Sequence, residues 1–183
     1  MASVKSASKP KKKATAAIKA EERPARLADY LLARAPAEDI APYDVADLER
    51  AADLAGQAVA THRKGECVVA VDADSGVVRD GRPMTVVTVV NDNMPFLFDS
   101  ILGEITETSG EPTLVTHPVI VVRHGKGGVE EILGDGNFAK DDGSHDRLSV
   151  IHVHIPRVTS EQASGLSERL RKILGQVHAA VHD

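Results

Sequence analysis

The sequence is poor in aromatic side chains and in cysteine. Phe, Trp and Tyr make up 3% of the 183 residues and Trp is absent, so the aromatic platforms that stack on bases or sugars have little to be built from. The single cysteine, Cys67, excludes an internal disulfide and a cysteine-rich zinc site. No apolar run approaches the roughly 20 residues of a transmembrane helix. We therefore expect a cytoplasmic protein with a core of Val, Ile, Leu and Ala.

Positive charge is concentrated at the amino terminus. Residues 1–20 contain six lysines and no acidic residue, whereas the remaining 16 basic and 27 acidic residues give the rest of the chain a net charge of −11. An acidic body argues against nucleic acid as a partner, because phosphate neutralisation dominates such binding. The Lys/Ala/Ser/Pro composition of residues 1–24 predicts a disordered tail, either a solvated extension or an arm that binds a polyanion.

Residues 25–63 are predicted to form a helical segment. Between Val45 and Val59 the apolar residues are spaced 3, 4, 3 and 4 apart, which is typical of an amphipathic helix. Asp44 is placed to cap its start. Such a helix needs an apolar surface to cover.

Residues 64–183 change to a pattern of strands and two further helices. Strands are predicted at 67–71, 84–90, 114–123, 129–133 and 148–155, and helices at 96–110 and from 159 onward. Thr159 and Gln162 have capping-box spacing, and the glycines of 125–128 favour a hairpin turn over a phosphate-binding loop. This order predicts an α+β fold: a ferredoxin-like antiparallel sheet with two helices on one face, preceded by the helical segment.

The predicted sheet is apolar on both faces. In strand 84–90, Val86 and Val90 point to one side while Val87 and Val89 point to the other. A second layer must therefore cover the face that the two helices leave open. Helix 44–62, a neighbouring domain or a second copy could supply it. Since a ferredoxin-like unit would continue into a final strand, we also expect the chain to be part of a longer polypeptide.

Two histidines form the weak metal candidate of the sequence. His152 and His154 lie two residues apart on one strand face, a spacing that can place two imidazoles beside one metal ion. A third ligand would have to come from His117, His145 or the acidic loop before the strand. No local carboxylate completes the set, so the alternative is a pair of polar residues on an outer sheet face that meets solvent or a partner.

The segment from Val90 to Ser100 has the pattern of a tight strand-to-helix turn. Its sequence, Val-Asn-Asp-Asn-Met-Pro-Phe-Leu-Phe-Asp-Ser, predicts a helix capped by Asp or Asn with Pro95 in its first turn. Free amide groups at a helix start attract a carboxylate, and Asp92 and Asp99 could receive an ammonium group. The segment is therefore a candidate site for an amino-acid-sized zwitterion.

A structural alternative explains the same segment. In it, Asp92 or Asn93 caps the helix, and Phe96 and Leu97 enter the core. Asp99 and Ser100 are then solvated residues of the first turn.

This segment and the strand before it, 85–90, resemble the large bacterial NAD-specific glutamate dehydrogenases, which have a D-D-M-P-F-L-x-D-S signature after a hydrophobic strand. Four further stretches are similar to the same region: 44–63, 117–123, 149–155 and 177–183. The resemblance covers about residues 44–183. The chain has Asn91-Asp92-Asn93 where the family pattern has two adjacent acids, so the resemblance does not carry over an exact acid pair.

The resemblance implies an ACT-like domain at residues 64–183, a ferredoxin-like module that binds an effector amino acid or pairs with another module. It implies an N-terminal regulatory or assembly segment of an NAD-dependent glutamate dehydrogenase, which converts glutamate to 2-oxoglutarate. Catalytic residues and NAD would belong to a domain outside these residues. By matching position, the effector-binding or interface candidates are Asp92, Asn93, Met94, Pro95, Asp99 and Ser100.

The same resemblance sets the expected partners. They are the rest of the same polypeptide, a homo-oligomer and an effector amino acid. Two alternatives stay open: a structural module without a ligand, and a polyanion-binding protein that acts through the basic tail.

Overall fold

In the part of the chain that the structure describes, a seven-stranded antiparallel sheet lies between two layers of helices. The computed structural model describes residues 26–137 and 143–182. The helices are α1 (Ala28–Leu31), α2 (Ala37–Ile40), α3 (Val45–Thr61), α4 (Leu97–Ser109) and α5 (Ser160–His182). The strands are β1 (Cys67–Asp72), β2 (Val78–Arg79), β3 (Arg82–Asp92), β4 (Leu114–Thr116), β5 (Val119–His124), β6 (Val129–Asp135) and β7 (Asp146–Pro156). No described helix is both long and apolar enough to cross a bilayer.

The long strands β3 and β7 form the centre of the sheet. The strand order is β1-β3-β7-β5-β6, with β2 paired to β3 and β4 paired to β7. The central pair runs from Met84 opposite Pro156 to Asp92 opposite Leu148. The succession β3–α4–β4/β5–β7–α5 is the ferredoxin-like one, so the predicted fold class is confirmed. Strand β1 lies beside β3, where the final strand of a ferredoxin-like unit would lie.

Helices α4 and α5 cover one face of the sheet. Ile101 and Ile105 of α4 and Leu170 of α5 are completely buried against the strands. Residues Ile151 and Val153 alternate with His152 and His154 along β7 and belong to the same apolar cluster on this face. Burying a side chain of this size contributes about 1.5–3 kcal/mol, so this layer is a principal source of stability.

Helices α1 and α3 cover the opposite face. Small residues such as Ala52 and Ala55 let α3 approach Val90 and Val150 closely. Of the three covers that the sequence allowed, the chain's own helix is the one found. The first residue of the predicted apolar stripe, Val45, is 73% exposed and does not contribute to the core.

One of the three predicted helix caps is present. Thr159 and Gln162 form the capping box, with the backbone N–H of Thr159 2.9 Å from Gln162 Oε1 and that of Gln162 3.2 Å from Thr159 Oγ1. Asp44 stands at the N-cap of α3 but makes no capping hydrogen bond. The predicted Asp or Asn cap of α4 is also wrong. Helix α4 begins at Leu97, so Pro95 lies before the helix, and Phe96 stands at the N-cap position without a capping hydrogen bond from its side chain.

The glycine segment before β6 is a hairpin turn, as predicted. The backbone N–H of Gly125 donates to Gly128 O at 2.8 Å, and the turn joins β5 to β6. Gly128 lies directly against the carboxyl end of α3. The predicted tail, residues 1–24, lies outside the described residues.

Candidate functional site

The turn between β3 and α4 holds an exposed aromatic side chain in a rare backbone conformation. Phe96 has φ +64° and is 73% exposed, whereas the next residue, Leu97, is buried. The left-handed region costs a residue with a Cβ about 1–2 kcal/mol. The expectation that Phe96 enters the core is therefore wrong, and the expectation for Leu97 is confirmed. Strain of this kind is concentrated at functional sites.

An open groove of about 680 Å³ lies between this turn and the last turns of α5. Its residues come from the turn, from the start of α4 and from one face of α5: Pro95, Phe96, Ser100, Ile173, Gln176, Val177, Ala180 and Val181. Most of this lining is apolar, with Ser100 and Gln176 as the polar side chains. Exposed Phe96 and the 38% exposed Val181 leave the groove walls accessible to a ligand or a partner.

The structure divides the six candidate residues among different surroundings. Pro95 and Ser100 line the groove, and Met94 packs against the core beneath α4. Asn93 is exposed, and its backbone N–H donates to Arg147 O at 2.9 Å.

The two candidate acids lie apart from these residues. Asp99 is exposed in the first turn of α4. Its charge raises the pKa of His117, although burial has the larger effect and lowers that pKa overall. Asp92 is held by the loop after α3, where its Oδ2 accepts the backbone N–H of Gly65 at 2.9 Å.

A histidine pair lies behind the turn, where α3, β3, β5 and β7 meet. His62 Nδ1 is 3.0 Å from His124 Nε2, and His124 Nδ1 is 2.8 Å from Asp146 Oδ2. On the other side, His62 Nε2 is 3.8 Å from Asp92 Oδ1. Although His62 is completely buried, its Nε2 has no hydrogen-bond partner within the described structure. We call Asp92, His62, His124 and Asp146 the histidine relay.

Burial and charge act in opposite directions on the relay. Burial lowers the pKa of His62 below its ordinary value, while the charge of Asp92 raises it by a smaller amount. Lys64, whose Nζ is 2.6 Å from Asp146 Oδ1, lowers the pKa of Asp146. Asp146 is therefore an anion that accepts the Nδ1–H of His124.

The weak metal candidates, His152 and His154, form part of a second, fully buried network. The two Nε2 atoms are 2.9 Å apart; Thr88 Oγ1 is 3.1 Å from His152 Nδ1, and Tyr43 Oη is 2.9 Å from His154 Nδ1. The expectation that this pair meets solvent or a partner is wrong, because Tyr43 and the α3 layer cover that face of β7. Among the described residues, no group of three or more His, Cys, Asp and Glu side chains is arranged to hold a metal ion.

The described contacts allow a complete set of donors for this network. Thr113 Oγ1 donates to the carbonyl of His154 and accepts from the hydroxyl of Tyr43. Tyr43 then accepts Nδ1–H of His154, whose Nε2 accepts Nε2–H of His152. Each neutral imidazole has one proton to donate, so the chain is complete with both histidines uncharged. Burial lowers the pKa of His154 to about 4 and that of His152 well below its ordinary value.

We expect Tyr43→Phe to reduce the free energy of unfolding by about 1–3 kcal/mol. The substitution leaves Nδ1–H of His154 without an acceptor in a buried site, and an unsatisfied buried donor costs about that much. Urea denaturation at pH 7.5 measures the change. Tyr30→Phe, at a half-buried position of α1, is the matched control. Equal stability of the two variants would contradict the buried hydrogen bond between Tyr43 and His154.

Sequence reasoning did not identify the histidine relay. His62, His124 and Asp146 are far apart along the chain and share no motif. The glycines of Gly125–Gly128 indicated that β5 ends at this turn. They did not show that His124, the last residue of β5, contacts His62 at the end of α3. Asp92 belongs to the relay, and Pro95 of the groove follows it by three residues.

Comparison with known proteins identifies one family. The family model described as glutamate dehydrogenase, ACT1 domain, matches residues 27–170. This range includes α1 to α4, every described strand and the first half of α5. No curated protein and no solved structure matches the chain.

Proposed function

Because the chain belongs to the glutamate dehydrogenase ACT1 domain family, we propose that it is the N-terminal regulatory or assembly segment of an NAD-dependent glutamate dehydrogenase. The reaction of the whole enzyme would be the oxidative deamination of glutamate to 2-oxoglutarate. NAD and the catalytic residues would belong to another part of the polypeptide. This segment itself would act by binding an effector amino acid.

The groove beside Phe96 is the observation that supports effector binding most strongly. The first amide groups of a helix have no intrahelical acceptor, and those of α4 begin at the groove, where they favour a carboxylate. Ser100 and Gln176 supply further polar atoms. Ile173, Val177 and Ala180 form an apolar wall, which suits a hydrocarbon side chain better than the charged side chain of glutamate. An effector with an aliphatic or aromatic side chain is therefore favoured.

The exposed Phe96 also supports a second candidate function, assembly. An aromatic side chain that is 73% exposed in a strained conformation is a natural anchor for a protein surface. The groove could then hold another part of the same polypeptide or a second copy. In this alternative the segment has no ligand and contributes only to oligomer formation.

Thermal-shift measurements on the original chain and on a variant with a filled groove test the effector function. The ligands would be leucine, valine and phenylalanine, with glutamate, 2-oxoglutarate and NAD for comparison. A ligand at about 100 times its dissociation constant adds about 2.7 kcal/mol of stability, equivalent to several degrees at this chain length. We expect Ala180→Trp to abolish the shift. Ala179→Trp, an exposed neighbour on α5 outside the groove lining, should retain it.

The thermal-shift panel distinguishes effector binding from assembly. No shift with any amino acid at millimolar concentration would reject effector binding by this segment. Assembly would then require that Ala180→Trp weaken oligomer formation in sedimentation experiments on the full-length enzyme, while Ala179→Trp would not.

A further inference from the structure

The histidine relay has three positions that require a proton and, with both histidines neutral, only two protons to fill them. One position is Nδ1 of His124, which faces Asp146 at 2.8 Å. A second is the shared position between the two imidazoles, which are 3.0 Å apart. The third is Nε2 of His62, which faces Asp92 at 3.8 Å. Two neutral imidazoles carry one N–H each, so one of the three positions lacks a proton.

The distances identify the position that lacks a proton. The 2.8 Å contact with Asp146 is a hydrogen bond, whereas the 3.8 Å separation at Asp92 is too long for one. His124 therefore donates from Nδ1, and His62 donates from its own Nδ1 to His124. Nε2 of His62 is left as a buried lone pair opposite a carboxylate, which explains why this atom has no partner.

The surrounding acids favour an added proton on His62, whereas a charge on His124 disfavours it. Asp92 of β3 and Asp146 of β7 face the pair, and Lys64 of the loop after α3 contacts Asp146 and interacts more weakly with Asp92. Glu66 of the same loop adds a further favourable charge and a main-chain contact near His62. Burial opposes these groups and is larger, so the pKa of His62 is below its ordinary value. Proton uptake by His62 therefore requires a pH below the ordinary pKa of a histidine.

We propose that the His62–His124 pair is a one-proton switch: uptake of a single proton draws Asp92 Oδ1 into a hydrogen bond with His62 Nε2 and fixes the start of the β3–α4 turn. Asp92 Oδ2 keeps its bond from Gly65 during this change. Pro95 of the groove lies three residues beyond Asp92, so protonation of the pair also restricts the motion of the residues that line the groove at this turn. Only this last effect rests on the proposed function; the proton site itself does not.

Nitrogen-15 NMR of the histidine rings in the full 183-residue chain tests the switch between pH 8 and pH 4.5. The expected result is that His62 gains a second N–H, at Nε2, as the pH falls, and that the His124 ring signals change at the same midpoint. An opposite charge at this distance shifts a titration by about one unit or more. Asp92→Asn, which can still accept the Gly65 N–H, should therefore lower the His62 midpoint by about one pH unit. Asp53→Asn on the exposed side of α3 is the matched control and should not change it.

A second variant, Asp146→Asn, tests independently how many protons the relay needs. Its amide can donate to Nδ1 of His124, so the two protons of the neutral histidines are enough to fill the other two positions. His62 should then carry its proton on Nε2 already at pH 7.5. If His62 stays singly protonated to pH 4.5, or if its midpoint is the same in Asp92→Asn, the switch is disproved. Because neither result depends on an added ligand, failure of the effector panel and failure of the switch are distinguishable.

Discussion

Lowering the pH from 7 to 4 should reduce the free energy of unfolding by about 3 kcal/mol through His154 alone. In the folded protein, burial lowers the pKa of His154 to about 4, compared with about 6.5 in an unfolded chain. One pKa unit corresponds to about 1.4 kcal/mol. His152, which is completely buried beside it, contributes in the same direction.

The direction follows from which state binds the proton. Between about pH 6.5 and pH 4 the unfolded chain protonates this histidine and the folded protein does not, so acid favours unfolding. The contribution is fully present above pH 6.5 and is lost as the pH falls toward 4. Burial explains the resistance to protonation, because a charged imidazole at this position would lose its contact with water.

Urea denaturation at pH 7.5, 6.5, 5.5 and 4.5 measures this effect. In His154→Gln, which cannot be protonated, stability at pH 7.5 should be lower but should fall less steeply between pH 6.5 and 4.5. His178→Gln, on the outer part of α5, is the comparison substitution and should keep the slope of the original chain. A wild-type stability that is flat down to pH 4.5 would show that His154 is not buried as a neutral group.

Gly128→Ala should be the most damaging single methyl addition in the β5–β6 turn. A Cβ at this position would lie 2.1 Å from the carbonyl oxygen of Ala60, and φ is +141°. Backbone strain of this kind costs about 1–3 kcal/mol, and forced overpacking adds a similar amount. We expect a loss of roughly 2–5 kcal/mol, together with displacement of His124 from His62.

The neighbouring glycine provides the control. At Gly127 a Cβ would meet no atom within 4 Å, so Gly127→Ala should change stability by less than about 0.5 kcal/mol. Thermal unfolding gives the stabilities, and the ring signals of His62 and His124 report whether their contact is retained. If the two variants are equally stable, the turn does not pack against the end of α3 as described.

The candidate site was predictable where its signal lay in a short stretch of chain. The segment from Val90 to Ser100 contains a strand end, a proline and a helix start, and it indeed forms the turn beside the groove. The conformation of Phe96 was not predictable, because Phe is ordinarily a core residue. Its exposure depends on how α4 and α5 pack around the turn, and local sequence does not specify that packing.

The sequence by itself determined the main helices and strands of this protein and their apolar faces. Period-two alternation in β7 and helical spacing in α3 and α5 depend on backbone geometry alone, so they could be read without a structure. Tertiary structure decided which element covers the second face of the sheet, and hence that His152 and His154 are buried instead of exposed. It also brought His62, His124 and Asp146 together, since contacts between residues so far apart arise only when the sheet and α3 pack.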